Sequence, residues 1–436
     1  MRRRLLFITL TVFILLGTAL SAKTFRYGQV KSMPLSVEKD YYIWRFLNQR
    51  STTASQAKAI IGDAKYINKK LRVAYKKKTG LNAKQTKRKP EPQRKKIDWK
   101  AKSNANKSFN YGIKMVEKNQ LGKAAQHFNA AYKQYVDRWE KDKALFWLYM
   151  VTKNKSYLSK LKKSYHINMY TLLAADLTES QYPRSIITPS ISKESVYGIN
   201  EKDPIHWAKI KARMNLPSTD LEDLADTCES KATVGMHTYL KAKACNYKKS
   251  YFPKPYRRLM RRYSKERQAI IYAIARQESR FVPASVSRSF ALGMMQFMPF
   301  LIDHVAKQRG EHIDYDDIFN PRKAIQYADH HLNYLEKWLY HPLFVAYAYN
   351  GGIGFTKRLI KKNNYFRKGA FEPYLSMEKM TNVEAREYGK RVLTNYVIYL
   401  NKLGKPTRLL PYINQLTIPS KTDRFRKQLI SETLLF

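Results

Sequence analysis

The chain has 436 residues and 82 Lys+Arg against 34 Asp+Glu, a formal net charge of +48. That length allows two or three domains with a sizeable core. The charge predicts anionic surroundings and leaves nucleic acid, lipid headgroups and wall polymer as the choices. The N-terminus separates them. Arg2-Arg3-Arg4 precedes an apolar run from Leu5 to Leu16, and small residues follow from Gly17 to Ala22, with Ala19-Leu20-Ser21 the best-spaced triplet. This is the build of a secretory signal peptide over residues 1–22, and it stays outside the fold argument. An uncleaved membrane anchor is the alternative, since Leu5 to Ala22 is only just long enough to span. Export argues against a nucleic-acid partner, and the lack of cysteine near the cleavage zone argues against a lipoprotein.

Residues 23–107 read as a basic N-terminal region with a linker. Its first part is weakly helical, with Tyr41, Trp44 and Phe46 as core anchors. Residues 65–100 hold 15 Lys/Arg against Glu91 and Asp98, and the piece from Thr79 to Lys96 adds Gly80, Pro90 and Pro92. That piece reads as a solvated linker. The functional alternative is a basic arm that holds the protein electrostatically on an anionic wall or membrane surface.

Residues 108–250 read as an α-solenoid-like helical domain. Leu121, Ala124, Ala125, Phe128, Ala131, Tyr132, Tyr135, Val136 and Trp139 trace one continuous helical face, and a second apolar helix is expected from Ala144 to Val151. Further helices centre on Leu158–Leu161, Met169–Ala175, Ile205–Met214 and His237–Ala244. Short connections between consecutive helices suggest stacked hairpins. The cysteines, Cys228 and Cys245, form an even pair in a chain expected to be exported, and read as one disulfide worth about 3 kcal/mol in the chain-entropy model, with two free buried thiols as the alternative. Phe252-Pro253-Lys254-Pro255 marks a boundary, because two prolines stop a helix. A second domain is expected over 251–403, and a C-terminal extension over 404–436. Strand signals are scarce, so the fold class is all-α.

The chemistry concentrates between Ser264 and Pro299. Ser264 is an N-cap candidate with Glu266 in the first turn, and Ile271, Ile274, Ala275 and Glu278 share one helical face. A carboxylate therefore continues an apolar stripe at a helix end, where burial disfavours charge and raises its pKa. The alternative is a solvent-facing Glu278 paired with Arg276 or Arg280.

With Ser279, Phe281, Pro283, Ser287, Gly293, Met295, Gln296, Met298 and Pro299 following it, Glu278 opens a stretch that resembles the catalytic motif of the soluble lytic transglycosylases. Phe290 stands where that family usually has glycine, and Met294 replaces a leucine. Ala348-Tyr349-Asn350-Gly351-Gly352-Ile353-Gly354 resembles the family's A-Y-N-A-G-P-G, with Gly351 and Ile353 as departures. Glu384-Ala385-Arg386-Glu387-Tyr388 resembles its E-T-R-x-Y, with Ala385 for threonine. The three motifs occur in family order over the last third of the chain, and the segment before them resembles, more weakly, the superhelical region of the large soluble members.

The resemblance implies a helical-hairpin or superhelical N-terminal region followed by a lysozyme-like catalytic domain that cleaves the MurNAc-GlcNAc β-1,4 bond of peptidoglycan. By that resemblance Glu278 serves twice, protonating the glycosidic oxygen and then deprotonating the 6-hydroxyl of the same muramic acid to leave a 1,6-anhydro end. A tethered nucleophile has the entropy advantage that such a step needs. Ordinary glycosidases use two carboxylates, whereas here no second acid follows Glu278 until Asp303. The resemblance also makes Ser287, Gln296, Met298, Tyr349, Asn350 and Glu384 substrate-binding or cleft-ordering residues, and leaves Met295 to packing. His330 and His331 are adjacent and match no zinc spacing, so no metal and no cofactor is expected. The expected partner is the peptidoglycan glycan strand, in the periplasm. A lysozyme-type hydrolase and a non-catalytic wall-binding scaffold remain as alternatives.

Overall fold

The computed structural model describes residues 23–85 and 99–426. The expected signal and most of the basic stretch from Thr79 to Lys96 lie outside these described residues. Four N-terminal helices come first: α1 (Tyr27–Ser32), α2 (Val37–Asn48), α3 (Ala54–Ile61) and α4 (Lys69–Thr79). Side chains of Ser36, Thr53 and Asn68 accept backbone N–H bonds at the starts of α2, α3 and α4, satisfying donors that a helix start leaves open. Tyr41 and Phe46 are buried as expected and Trp44 is half-buried.

Stacked hairpins follow: α5 (Trp99–Glu117), α6 (Leu121–Gln134), α7 (Arg138–Thr152), α8 (Ser156–Lys162) and α9 (Met169–Leu177). The face expected to run unbroken from Leu121 to Trp139 is in fact two helices. Tyr135 leaves α6 in an extended conformation, with its ring buried and its hydroxyl donating to Asn106 Oδ1 at 3.0 Å. Val136 is 86% exposed, and Asp137 opens α7. Periodicity continues across the break because both helices bury aromatics in the same core.

Helices α10 (Pro204–Met214), α11 (Leu221–Asp226) and α12 (Val234–Ala244) form a separate small core around Trp207, Leu224, Cys228 and Leu240, which Val282 and Ala284 complete. The expected disulfide is absent. Cys228 is buried in this core, whereas Cys245 ends α12 with its thiol donating to Ala242 O at 3.4 Å. The two thiols serve different environments, and both are free. Two short strands, β1 (Ile186–Ile187) and β2 (Ser250–Tyr251), pair in parallel beside this region.

The remaining chain forms α13 (Arg257–Met260), α14 (Lys265–Glu278), α15 (Pro299–Gln308), a 3-10 turn (Tyr315–Phe319), α16 (Pro321–Glu336), α17 (Pro342–Gly351), α18 (Ile353–Lys361), α19 (Tyr374–Lys379), α20 (Val383–Lys402), α21 (Leu409–Gln415) and α22 (Pro419–Thr422). Helices α14 and α17 both pack on α20. The second crossing depends on Gly389, because a Cβ there would lie 2.2 Å from the Tyr347 ring.

A buried charge network joins the stacked hairpins to α20. Lys390 Nζ donates to Glu378 Oε1 at 2.7 Å, Tyr170 of α9 donates to the same oxygen at 2.7 Å, and Arg386 Nη1 donates to the Glu378 carbonyl. The C-terminal segment, which carries no sequence signal for a partner, straps both parts together. Leu409 and Leu410 donate their N–H groups to Asp176 of α9, and buried Arg426 donates to Phe366 O at 2.6 Å and Asp423 Oδ2 at 2.7 Å. The fold is all-α.

Candidate active site

Ser264 caps α14 by accepting from Arg267 N at 3.1 Å, and the helix ends at Glu278. The next residues turn sharply away. Arg280 and Phe281 both have left-handed φ, 55° and 66°, and Phe281 N donates back to Ala275 O. Glu278 thus stands at a helix C-terminus, where the dipole disfavours a negative charge. It is half-buried by exposed area yet closely surrounded. Burial pushes its pKa up to about 7 against an opposing hydrogen bond from Tyr388, and the Glu384 charge adds to the rise. Tyr388 Oη donates to Glu278 Oε1 at 2.7 Å.

Neither arginine expected as a possible partner reaches it. Arg276 donates to Tyr251 O and Asn395 Oδ1, and Arg280 lies against Tyr239 and Tyr247. Both face a separate cavity of about 880 Å³ between the stacked hairpins and α20, whose wall includes Gln277 but not Glu278. The last turn of α14 therefore divides a cationic cavity from a carboxylate that no cation among the described residues pairs with.

The loop after Glu278 folds back as a small hairpin. Val286 pairs with Leu292, and Leu292 pairs with Phe297. Ser279 Oγ donates to Met294 O at 2.8 Å, tying the helix end to the loop. Gly293 has φ 75°, and a Cβ there would meet Ile318 O at 2.6 Å, so only glycine fits. Gln296 uses its amide Nε2 on Ser285 O and Gly293 O, which makes it a brace within the loop. Ser287 closes the tip: its Oγ accepts from Ala291 N at 2.9 Å, and its N–H donates to Ala291 O. Its own O–H has no acceptor among the described residues and remains free to donate.

Tyr349 is brought next to the acid. Its hydroxyl donates to Met295 O at 3.0 Å, and burial together with the Glu278 charge holds its pKa well above the phenol range. Asn350 is half-buried in the last turn of α17, and Met298 is half-buried as the residue before α15. Met295 is fully buried, in keeping with packing. Glu384 is exposed in the first turn of α20 and reaches Glu278 through its field alone. His331 packs edge-on to Tyr349 and is kept neutral, its pKa lowered to about 4 by burial and then by His304 and His330. Among the described residues no three His, Cys, Asp or Glu side chains gather as a metal site.

Tyr388, which touches Glu278, is a candidate site residue that the sequence motifs alone do not single out. It lay in plain view as the last position of the Glu384–Tyr388 run, one helical turn past Glu384 on the inner face of α20. The glycine-to-Phe290 departure also gains a physical setting. Phe290 has φ 61° and no exposure, a conformation that costs a bulky residue about 1–2 kcal/mol.

Residues 257–371 match the Transglycosylase SLT domain family. Over 165 residues the chain is 27% identical to the soluble lytic murein transglycosylase of Salmonella typhimurium, and over 163 residues it is 29% identical to that of Escherichia coli K12. Each match covers 36% of this chain and 25% of the relative, so the chain spans a quarter of the length of these relatives. In fold, the chain is similar to an inactive mutant of the lytic transglycosylase Slt from Pseudomonas aeruginosa, with TM-score 0.50 and 14% identity over 88% of this chain and 66% of that one. Tyr388 and Glu384 lie beyond residues 257–371, the segment that is similar to the transglycosylase SLT domain family.

Proposed function

We propose that this chain is an exported lytic transglycosylase that cleaves the MurNAc-GlcNAc β-1,4 bond of peptidoglycan. The observation that carries this reading is Glu278, a carboxyl group whose pKa burial raises to about 7, with a tyrosine and, among the described residues, no cation beside it. Such a group donates a proton to the leaving glycosidic oxygen. The resulting carboxylate is the acceptor for the proton of the muramic 6-hydroxyl, whose attack on the anomeric carbon closes the 1,6-anhydro ring. Tyr388 steadies the carboxylate between these two steps, because its hydrogen bond favours the charged form. Ser287 offers a free O–H to the substrate, and Gln296, Met298, Tyr349 and Asn350 order or line the cleft. The similar transglycosylases are named for murein, which is the substrate class proposed here.

Export rests on the basic and apolar start of the chain, which lies outside the described residues. Among the described residues no helix is long and apolar enough to cross a membrane. Peptidoglycan is the proposed partner, and the surplus of basic residues favours anionic wall or membrane surfaces around it.

A hydrolytic reading is favoured by one observation: Glu384 is a second carboxylate within electrostatic range of Glu278. Mass spectrometry of peptidoglycan digested by the protein separates the two. Anhydro ends, lighter by one water than reducing ends, are expected from the wild type and absent with Glu278→Gln. Reducing ends would make the enzyme a hydrolase, and no product at all would leave a wall-binding scaffold.

A further inference from the structure

Phe290 sits in a left-handed conformation at the tip of the Ser287–Ala291 turn, where its ring points away from the turn into an aromatic socket that another part of the chain supplies. Trp44 of α2 meets that ring at a centroid distance of 5.7 Å, and Tyr41 meets it edge-on at 6.1 Å. The socket is itself fixed. Trp44 stacks on Tyr315 at 5.7 Å, Tyr41 donates to Asp316 Oδ1 at 2.8 Å, and Arg45 binds Asp314 and Asp316 through both ends of its guanidinium. A second grip lies beside it. Asp40 accepts from Lys65 N and Tyr66 N, which sets the turn before α4. From that turn Asn68 Nδ2 donates to Arg288 O at 2.6 Å, and the Arg288 guanidinium stacks on Tyr66 at 4.2 Å. Residues on both sides of Ser289 are thus held by the N-terminal helices, although those helices lie far from the turn in sequence.

We propose that α2 and the turn before α4 are a working part of the cleft, with Trp44 and Phe290 as positioning residues that hold the Ser287 turn in the register that meets substrate. This rests on the reading of Ser287 as a substrate contact. Glu278 is fixed independently, by α14 and Tyr388. Loosening the clamp should therefore weaken productive binding of the glycan and leave the protonation of the acid alone.

The test uses Trp44→Ala and Phe290→Gly in the full chain. In Phe290→Gly the left-handed φ carries no penalty and the ring is gone, while the Arg45 latch on Asp314 and Asp316 stays, so detachment of α2 cannot explain the result. Both variants are expected to raise KM for glycan strands about fivefold with the pH profile of kcat unchanged, and to speed hydrogen exchange at the Ala291 amide roughly tenfold. Wild-type KM and wild-type Ala291 exchange in folded Trp44→Ala would overturn the proposal. A shift in the pH profile would also overturn it, because the clamp would then act on Glu278. If the wild type releases no glycan product, the functional reading fails on its own, and the exchange measurement still decides whether α2 holds the turn.

Discussion

Two glutamates at helix ends, one half-buried and one buried, resolve the same problem in opposite ways. Glu278 lies at the end of α14 with, among the described residues, only a tyrosine hydroxyl on it, and its pKa rises to about 7 from an ordinary 4.5 because burial outweighs that hydrogen bond. Glu378, near the end of α19, is buried more deeply, yet its pKa is held well below the ordinary range: burial raises it, but Lys390, Arg386 and Lys143 outweigh the burial. Depth therefore does not decide protonation; the groups that face the carboxyl do. One glutamate is left with a carboxyl that can hold a proton near neutral pH, and the other becomes the anion at the centre of a structural joint.

The largest break in this contrast is Glu278→Gln, expected to lower turnover by roughly a thousandfold or more in a product assay, since the general acid is gone. The same variant should be more stable than the wild type. The folded-state pKa of Glu278 lies above its unfolded value, so the wild type loses stability as pH rises from about 4.5 through about 7. Thermal melts should give no difference between the two at pH 4 and an advantage of about 1–3 kcal/mol for the variant at pH 8. Equal stability at both pH values would remove burial as the cause of the shift.

Lys390→Met tests the other half. It leaves the Glu378 charge buried without its main partner and should cost about 3–5 kcal/mol at neutral pH in denaturant titration. Here the sign reverses. Glu378 has a depressed pKa, so its contribution is present above the unfolded value of about 4.5 and is lost as pH falls below it. The gap between wild type and variant should accordingly narrow in acid.

Two smaller changes tune Glu278 itself. Tyr388→Phe removes a bond to the charged form, so the basic limb of the kcat profile should move to higher pH. Glu384→Gln removes a repelling charge, so the limb should move to lower pH, and by less, because Glu384 is exposed and screened by salt. If Glu384→Gln instead stops turnover, the hydrolytic reading gains. The smallest effect expected is that of reductant, which should leave the melting temperature unchanged because Cys228 and Cys245 are free thiols.

Local features were legible in the sequence. The Ser264 cap, the apolar stripe of α14 and the glutamate that ends it each need only a few neighbouring residues to be seen, and all are present as read. The helical hairpins were legible too, except where the chain reverses at Tyr135 while keeping the same core in reach. What was not legible is long-range. Nothing near Trp44 says that it faces Phe290, and the left-handed backbone that Phe290 adopts in place of a glycine makes sense only with α2 beside it. Tyr388 was missed as a site residue for a related reason: the Glu-x-Arg-x-Tyr run describes a helix face, and only the crossing of α14 over α20 decides what that face meets. The cysteines illustrate the converse. Their spacing suited a clip, but one thiol was recruited into the core of α10–α12 and the other to the end of α12.

Helix α20 behaves as a camshaft. Along its 20 residues it carries Glu384 and Tyr388 at the acid, Gly389 under Tyr347, Lys390 in the joint with α9, and Asn395 against Arg276. These lobes are keyed to one another by helical pitch. A single residue inserted between Tyr388 and Lys390 would turn everything beyond it by about 100° and advance it by about 1.5 Å, throwing the joint out of phase with the acid while leaving every local propensity intact. A length change engineered in this region is thus expected to be tolerated only in the loops around α20, whatever the tolerance of its individual side chains.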